Sequence, residues 1–146
     1  MIIVSLILEL IINKYINQNS LFIPLFLLIS IIYINKNKYY LKIFIIGVIY
    51  DLFFTPFYIL NGFIYLIIGF INKVLFNYFN NKFIDYIIIT IIDIFIYQII
   101  LYLLLLISNH INYNINELFF IIKHFFIINI IYSIILFLIK RKKLQS

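Results

Sequence analysis

IFIIGVIYDLFFTPFYILNGFIYLIIGFI, residues 43–71, is the stretch on which the fold turns. From Ile43 to Asn72, thirty positions pass without a Lys or Arg. A single helix of that length would run about 45 Å at roughly 1.5 Å per residue, well beyond a hydrocarbon core of about 30 Å. Thr55-Pro56 interrupts the run, and a proline ends the helix before it, because its ring excludes the helical hydrogen bond and restricts the preceding residue. The stretch therefore predicts two apolar helices joined by a tight hairpin. Lys38 and Lys42 stand at the far end of the first helix, where long basic side chains snorkel toward water.

The rest of the chain extends this pattern. Hydrophobic residues fill 66% of the 146 positions and charged residues 11%, against roughly 45–50% and roughly 25% in a soluble domain. A small soluble fold leaves about a third of its unfolded-chain surface wet, and the polar side chains here are too few to cover it, so the surplus is expected to face lipid. Barrel strands would alternate polar with apolar residues. These runs do not alternate, which leaves helices as the spanning form. The expected fold is an all-α integral membrane protein, a bundle of about six transmembrane helices in one domain over 1–146. The spans are expected at 2–16, 20–35, 39–55, 57–76, 84–108 and 118–139, followed by a basic tail at 140–146. The first run carries Glu9 and Lys14 and is short. It competes with a cleaved signal peptide, but MIIVSLILEL has no basic n-region and no small-residue cleavage site follows it.

The formal charge is +6, yet the basic residues are scattered between apolar runs and form no single face, so nucleic acid is not an expected partner. They sort by topology instead. With six spans, Lys36, Lys38, Lys42, Lys73, Lys82, Lys140, Arg141, Lys142 and Lys143 fall on one side, and Lys14 and Lys123 on the other. The positive-inside rule then puts both termini in the cytoplasm. Lys140-Arg141-Lys142-Lys143 directly follows a span and is expected to anchor at anionic headgroups. Cys is absent, so there is neither a disulfide framework nor a thiolate metal site. Abundant Ile, Asn, Lys, Phe and Tyr with no Ala fits AT-rich coding DNA, and it lowers the structural meaning of any one of those residues.

The inventory for catalysis is thin. His110 and His124 carry no HExxH or comparable ligand spacing. No serine sits in a GxSxG elbow, and three glycines in the whole chain form no phosphate loop. Neither an enzyme nor a cofactor is expected. The informative residues are acids inside apolar runs, where insertion costs roughly 2.5–3.5 kcal/mol and the side chain normally turns toward the bundle interior. Asp51 and Asp93 fit that description, and Glu9 does if its run spans. Asp85, near a helix start, is favoured there by the helix dipole. Gly47, Asp51 and Thr55 recur every four residues and share one helical face. That stripe would admit a neighbouring helix at Gly47 and offer Asp51 a partner, with Asn61, Gly62 and Gly69 as candidates on the next helix. Asp93 and Gln98 in the fifth span, with Asn129 and Ser133 in the sixth, are expected to form a polar network between the last two helices. Helix packing and an ion or proton relay both use such residues.

The same stretch, 43–71, resembles the signature region of the rod shape-determining protein MreD family. There a Gly precedes an Asp by four positions in a central membrane helix and a tight turn leads into the next, as Gly47, Asp51 and Thr55-Pro56 do here. Pro24 matches a proline often carried near the start of the second span, and Asp93 an acid found in the fifth. Chain length, six short spans and a basic C-terminus also agree. Where the family commonly has a Gly eight residues after the Asp, this chain has Ile59, with Gly62 later. The resemblance implies a non-enzymatic scaffold of bacterial wall elongation in the plasma membrane. Its implied partners are a bitopic MreC-like protein, actin-like MreB and peptidoglycan synthases. It also implies a helical arrangement similar to the substrate-binding S components of vitamin transporters. The rival expectation follows from that similarity: a small-ligand-binding transporter subunit with a pocket lined by Asp51, Asn61 and Asp93.

Overall fold

A computed structural model describes residues 4, 5, 7–11, 25–34, 36–55, 59–79, 83–107 and 115–145. In chain order these form α1 (helical at 4, 5 and 7–11), α2 (Leu25–Tyr33), α3 (Tyr39–Phe54), α4 (Leu60–Tyr78), α5 (Phe83–Ile107) and α6 (Ile115–Gln145). No strand occurs among the described residues, although Ile, Phe and Tyr favour strands by propensity. Unbroken apolar runs have no polar face to leave in water, and they close their backbone hydrogen bonds within each helix.

The closest pairings are α3 against α4 and α5 against α6, and α2 touches all four of these helices. That central position explains a pattern along α2. Leu27, Leu28, Ile29, Ser30 and Ile31 are consecutive and none is more than 1% exposed. A helix buried on every side has no use for amphipathic spacing. Around it, Ile43, Ile46 and Tyr50 of α3 meet Ile64, Tyr65 and Ile68 of α4, with Tyr97 of α5 and Tyr132 and Leu136 of α6 closing the core. Tyr65 links two of these layers, its ring centroid 6.1 Å from that of Tyr50 and 6.4 Å from that of Tyr97. Ser5 of α1 hydrogen-bonds Tyr132, which holds α1 against α6.

The distribution of polarity is the reverse of a water-soluble fold. Asp51, Asn61, Asn72, Thr90, Asp93, Gln98, Asn129 and Ser133 are all buried, whereas Leu52, Phe70, Ile107 and Ile127 are at least 60% exposed. Leu60–Tyr78 and Phe83–Leu104 are long and apolar enough to cross a membrane.

Several boundaries differ from expectation. The helix expected at 57–76 begins at Leu60 and runs two residues further, to Tyr78. The last helix begins at Ile115 and continues to Gln145, so the basic cluster at 140–143 is the end of a helix and not an irregular tail. Lys and Arg are good helix formers, and positive charge in a last turn complements the helix dipole. Pro24 and the connection at 56–58 lie outside the described residues.

Candidate functional site

The densest polar cluster lies where α3 ends and α4 begins. The first amides of a helix have no partner within it, and Ile59, flanking α4, supplies no side-chain cap. Asp51 of the preceding helix does so. Its Oδ2 accepts the backbone N–H of Asn61 at 2.8 Å, while Oδ1 accepts from Asn61 Nδ2 at 2.6 Å. Thr55, one turn along, donates its hydroxyl to the same Oδ1 at 2.7 Å, and its backbone N–H closes the last turn of α3 on the Asp51 carbonyl. Tyr97 of α5 donates to Asn61 Oδ1 at 2.9 Å. A carboxylate at a helix N-terminus meets both unpaired N–H groups and the positive end of the dipole.

This geometry depends on glycine. A Cβ on Gly47 would lie 2.5 Å from the Asn61 carbonyl oxygen and 2.7 Å from Gly62 Cα, both backbone atoms. A Cβ on Gly62 would meet Phe44 and Val48 side chains at 3.0 Å. The two helices thus cross backbone to backbone at Gly47, which brings Asp51 within reach of Asn61. On the outer side of the crossing the rings of Phe44 and Phe63 meet edge to face at 5.6 Å. Gly47, Asp51, Thr55, Asn61 and Gly62 therefore form one unit.

Asp93 belongs elsewhere. It turns toward α4, accepting from Asn72 Nδ2 at 3.0 Å, instead of joining a network with Gln98, Asn129 and Ser133. Between α5 and α6, Thr90 Oγ1 lies 2.7 Å from Ser133 Oγ and donates to the Tyr86 carbonyl at 2.8 Å. Ser133 reaches that same carbonyl at 3.3 Å. Gln98 and Asn129 are buried on α5 and α6. Asp93 Oδ1 and Asn72 Oδ1 each lack a hydrogen-bond partner among the described residues. Nearby, Tyr39 donates to the Gly69 carbonyl at 3.2 Å.

Asn72, Thr90, Tyr97 and Tyr39 were not among the sequence candidates. One signal was available: Asn61 and Asn72 are eleven residues, about three turns, apart and so share a face of α4. In a chain this rich in Asn, a single Asn beside Lys73 does not stand out.

Among the described residues, several lysines lie against aromatic rings near the ends of helices. Lys36 and Lys42 lie over the Tyr33 ring at 6.0 and 5.6 Å, and Lys73 over Tyr40 at 5.0 Å. Lys140 lies over Phe76 and Tyr86 at 4.6 and 5.2 Å. Arg141 is exposed, and the side chains of Lys142, Lys143 and His124, like the whole of His110, lie outside the described set. Among the described residues no group of three or more His, Cys, Asp or Glu could hold a metal ion. Compared with known proteins, the chain matches no family model, no curated protein and no solved structure.

Proposed function

We propose that this chain is a multi-pass protein of the bacterial plasma membrane that acts without catalysis, as a helix-packing scaffold of the wall-elongation machinery similar to MreD. The observation that carries the membrane reading is the placement of polarity: large apolar side chains cover the outside while Asp51, Asp93 and several amides lie buried within the apolar core, as a bundle solvated by lipid requires. With six spans and both termini in the cytoplasm, Lys36, Lys38, Lys42, Lys73 and Lys140 would lie at the cytoplasmic end. The scaffold reading rests on the Gly47–Asp51 hairpin. Its polar groups are engaged with one another, which suits a rigid element that positions partners. Binding an MreC-like bitopic protein, and through it MreB-like and synthase components, is the role proposed for that element.

The transporter-subunit alternative needs Asp51, Asn61 and Asp93 to line one pocket. Asp51 and Asn61 are instead bonded to each other, and Asp93 pairs with Asn72, which favours the scaffold. Depletion in the source bacterium is expected to round the cells, and Gly47→Leu to weaken co-purification of an MreC-like protein. Normal rods after depletion would count against the scaffold. A vitamin retained through purification, or transport ATPases co-purifying with the chain, would favour the alternative.

A further inference from the structure

A groove of about 520 Å³ opens beside the α2–α3 turn, lined by Lys36, Asn37, Lys38, Tyr39, Tyr40 and Lys73 with Ile34 and Leu41. No acid lines it. Its lysines come from two places far apart in sequence, the α2–α3 turn and the last part of α4, so the fold and not a local run of charge assembles it. Lys38 turns the chain into α3 in the left-handed region, φ 58° and ψ 37°, and makes no side-chain cap. Tyr39 forms a fixed wall, buried and tied to the Gly69 carbonyl.

We propose that this groove binds the phosphate headgroup of an anionic phospholipid of the cytoplasmic leaflet. The choice of a lipid over a soluble anion comes from the surface beside it. Phe63, Ile67, Phe70 and Val74, all large and exposed, form a stripe along α4 that runs up to Lys73, so a phosphate among the lysines would have its acyl chains against an apolar strip. Basic pockets between helices at the cytoplasmic boundary recognise such headgroups.

The inference rests on the membrane reading above, and the test separates the two. The full chain, extracted in a neutral detergent, is titrated with phosphatidylglycerol, with phosphatidylcholine, and with glycerol phosphate as the soluble probe, following thermal stability and lipid retained in native mass spectra. Phosphatidylglycerol is expected to bind and stabilise, and the other two are not. A K36Q/K38Q/K73Q variant is expected to lose at least tenfold in apparent affinity, and a K123Q control, on the opposite side by the charge count, to stay within about twofold. Should the triple variant fold poorly, as judged by its helical circular dichroism, Lys73→Gln alone is expected to give a several-fold loss. Equal binding by variant and parent, or equal protection by glycerol phosphate, overturns the lipid site. Recovery of the chain in the soluble fraction without detergent overturns the membrane reading itself.

Discussion

At Asp51, one carboxylate serves three donors from two segments. Asp51→Ala strands the Asn61 amide and side chain in the interior, at a cost of about 2–3 kcal/mol, and is expected to lower the thermal midpoint in detergent. Thr55→Val removes one of those donors and costs less, about 1 kcal/mol. Two glycines give a sharper contrast. Gly47→Ala drives a methyl into the backbone of Asn61 and Gly62, whereas Gly69→Ala meets only the Cδ1 end of Ile43 at 2.7 Å, which can swing aside. Gly47→Ala should therefore unfold the protein several degrees earlier, and Gly69→Ala should be near neutral because alanine is the better helix former by about 1 kcal/mol. Similar losses from both would show that the close crossing is not what matters at Gly47. For Asp93, replacement by Asn keeps an acceptor for Asn72 Nδ2 and adds a donor where Asn72 Oδ1 has no described partner. Asp93→Asn is expected to leave the midpoint unchanged or raise it, whereas Asp93→Leu lowers it. Proton-linked flux in liposomes that Asp93→Asn abolishes would mark a carrier instead. The four-residue spacing of Gly47, Asp51 and Thr55 was legible because small and polar residues are rare in that helix. Thr90 and Tyr97 were not, since a hydroxyl in an apolar run shows its role only when its neighbour across the interface is known.

At the level of elements, the sequence reading placed the 39–55 helix to within a residue of α3 and the 84–108 helix likewise of α5, because Lys38 and Pro56 bracket the first, and Lys82 and the polar run from Ser108 bracket the second. The extensions of α4 and α6 were missed for one reason: Asn and Lys were read as breakers, although lysine propagates a helix well. The central position of α2 was also hidden, since a uniformly apolar helix looks the same whether it faces lipid or protein. Its burial predicts that Leu28→Lys, at 0% exposure, is far more damaging than Leu52→Lys on the exposed surface. Expression level and monodispersity in detergent would show the difference. At the end of α6, partial burial against Phe76 and Tyr86 lowers the Lys140 ammonium from its ordinary value of 10.5. A cation held below its unfolded-state value weakens the fold while it stays charged in both states. Stability should therefore rise as pH climbs through the lowered value toward 10.5, and Lys140→Met should remove that slope.

For the whole molecule, the absence of cysteine makes topology directly readable. Single cysteines placed at Ser146 and at Asn37 should be shielded from an impermeant thiol reagent in intact cells, while one at Asn112 should react. Labelling of Ser146 and Asn37 from outside would invert the orientation. The capping of α4 by Asp51 has a bearing on how such a chain is made. The acid and the amide it satisfies are ten residues apart, so both emerge from the ribosome within about two seconds at typical synthesis rates. The pair can close before α5 exists. The third and fourth helices would then leave the translocation channel together, already latched, because in hydrocarbon a lone carboxylate has nowhere cheaper to go.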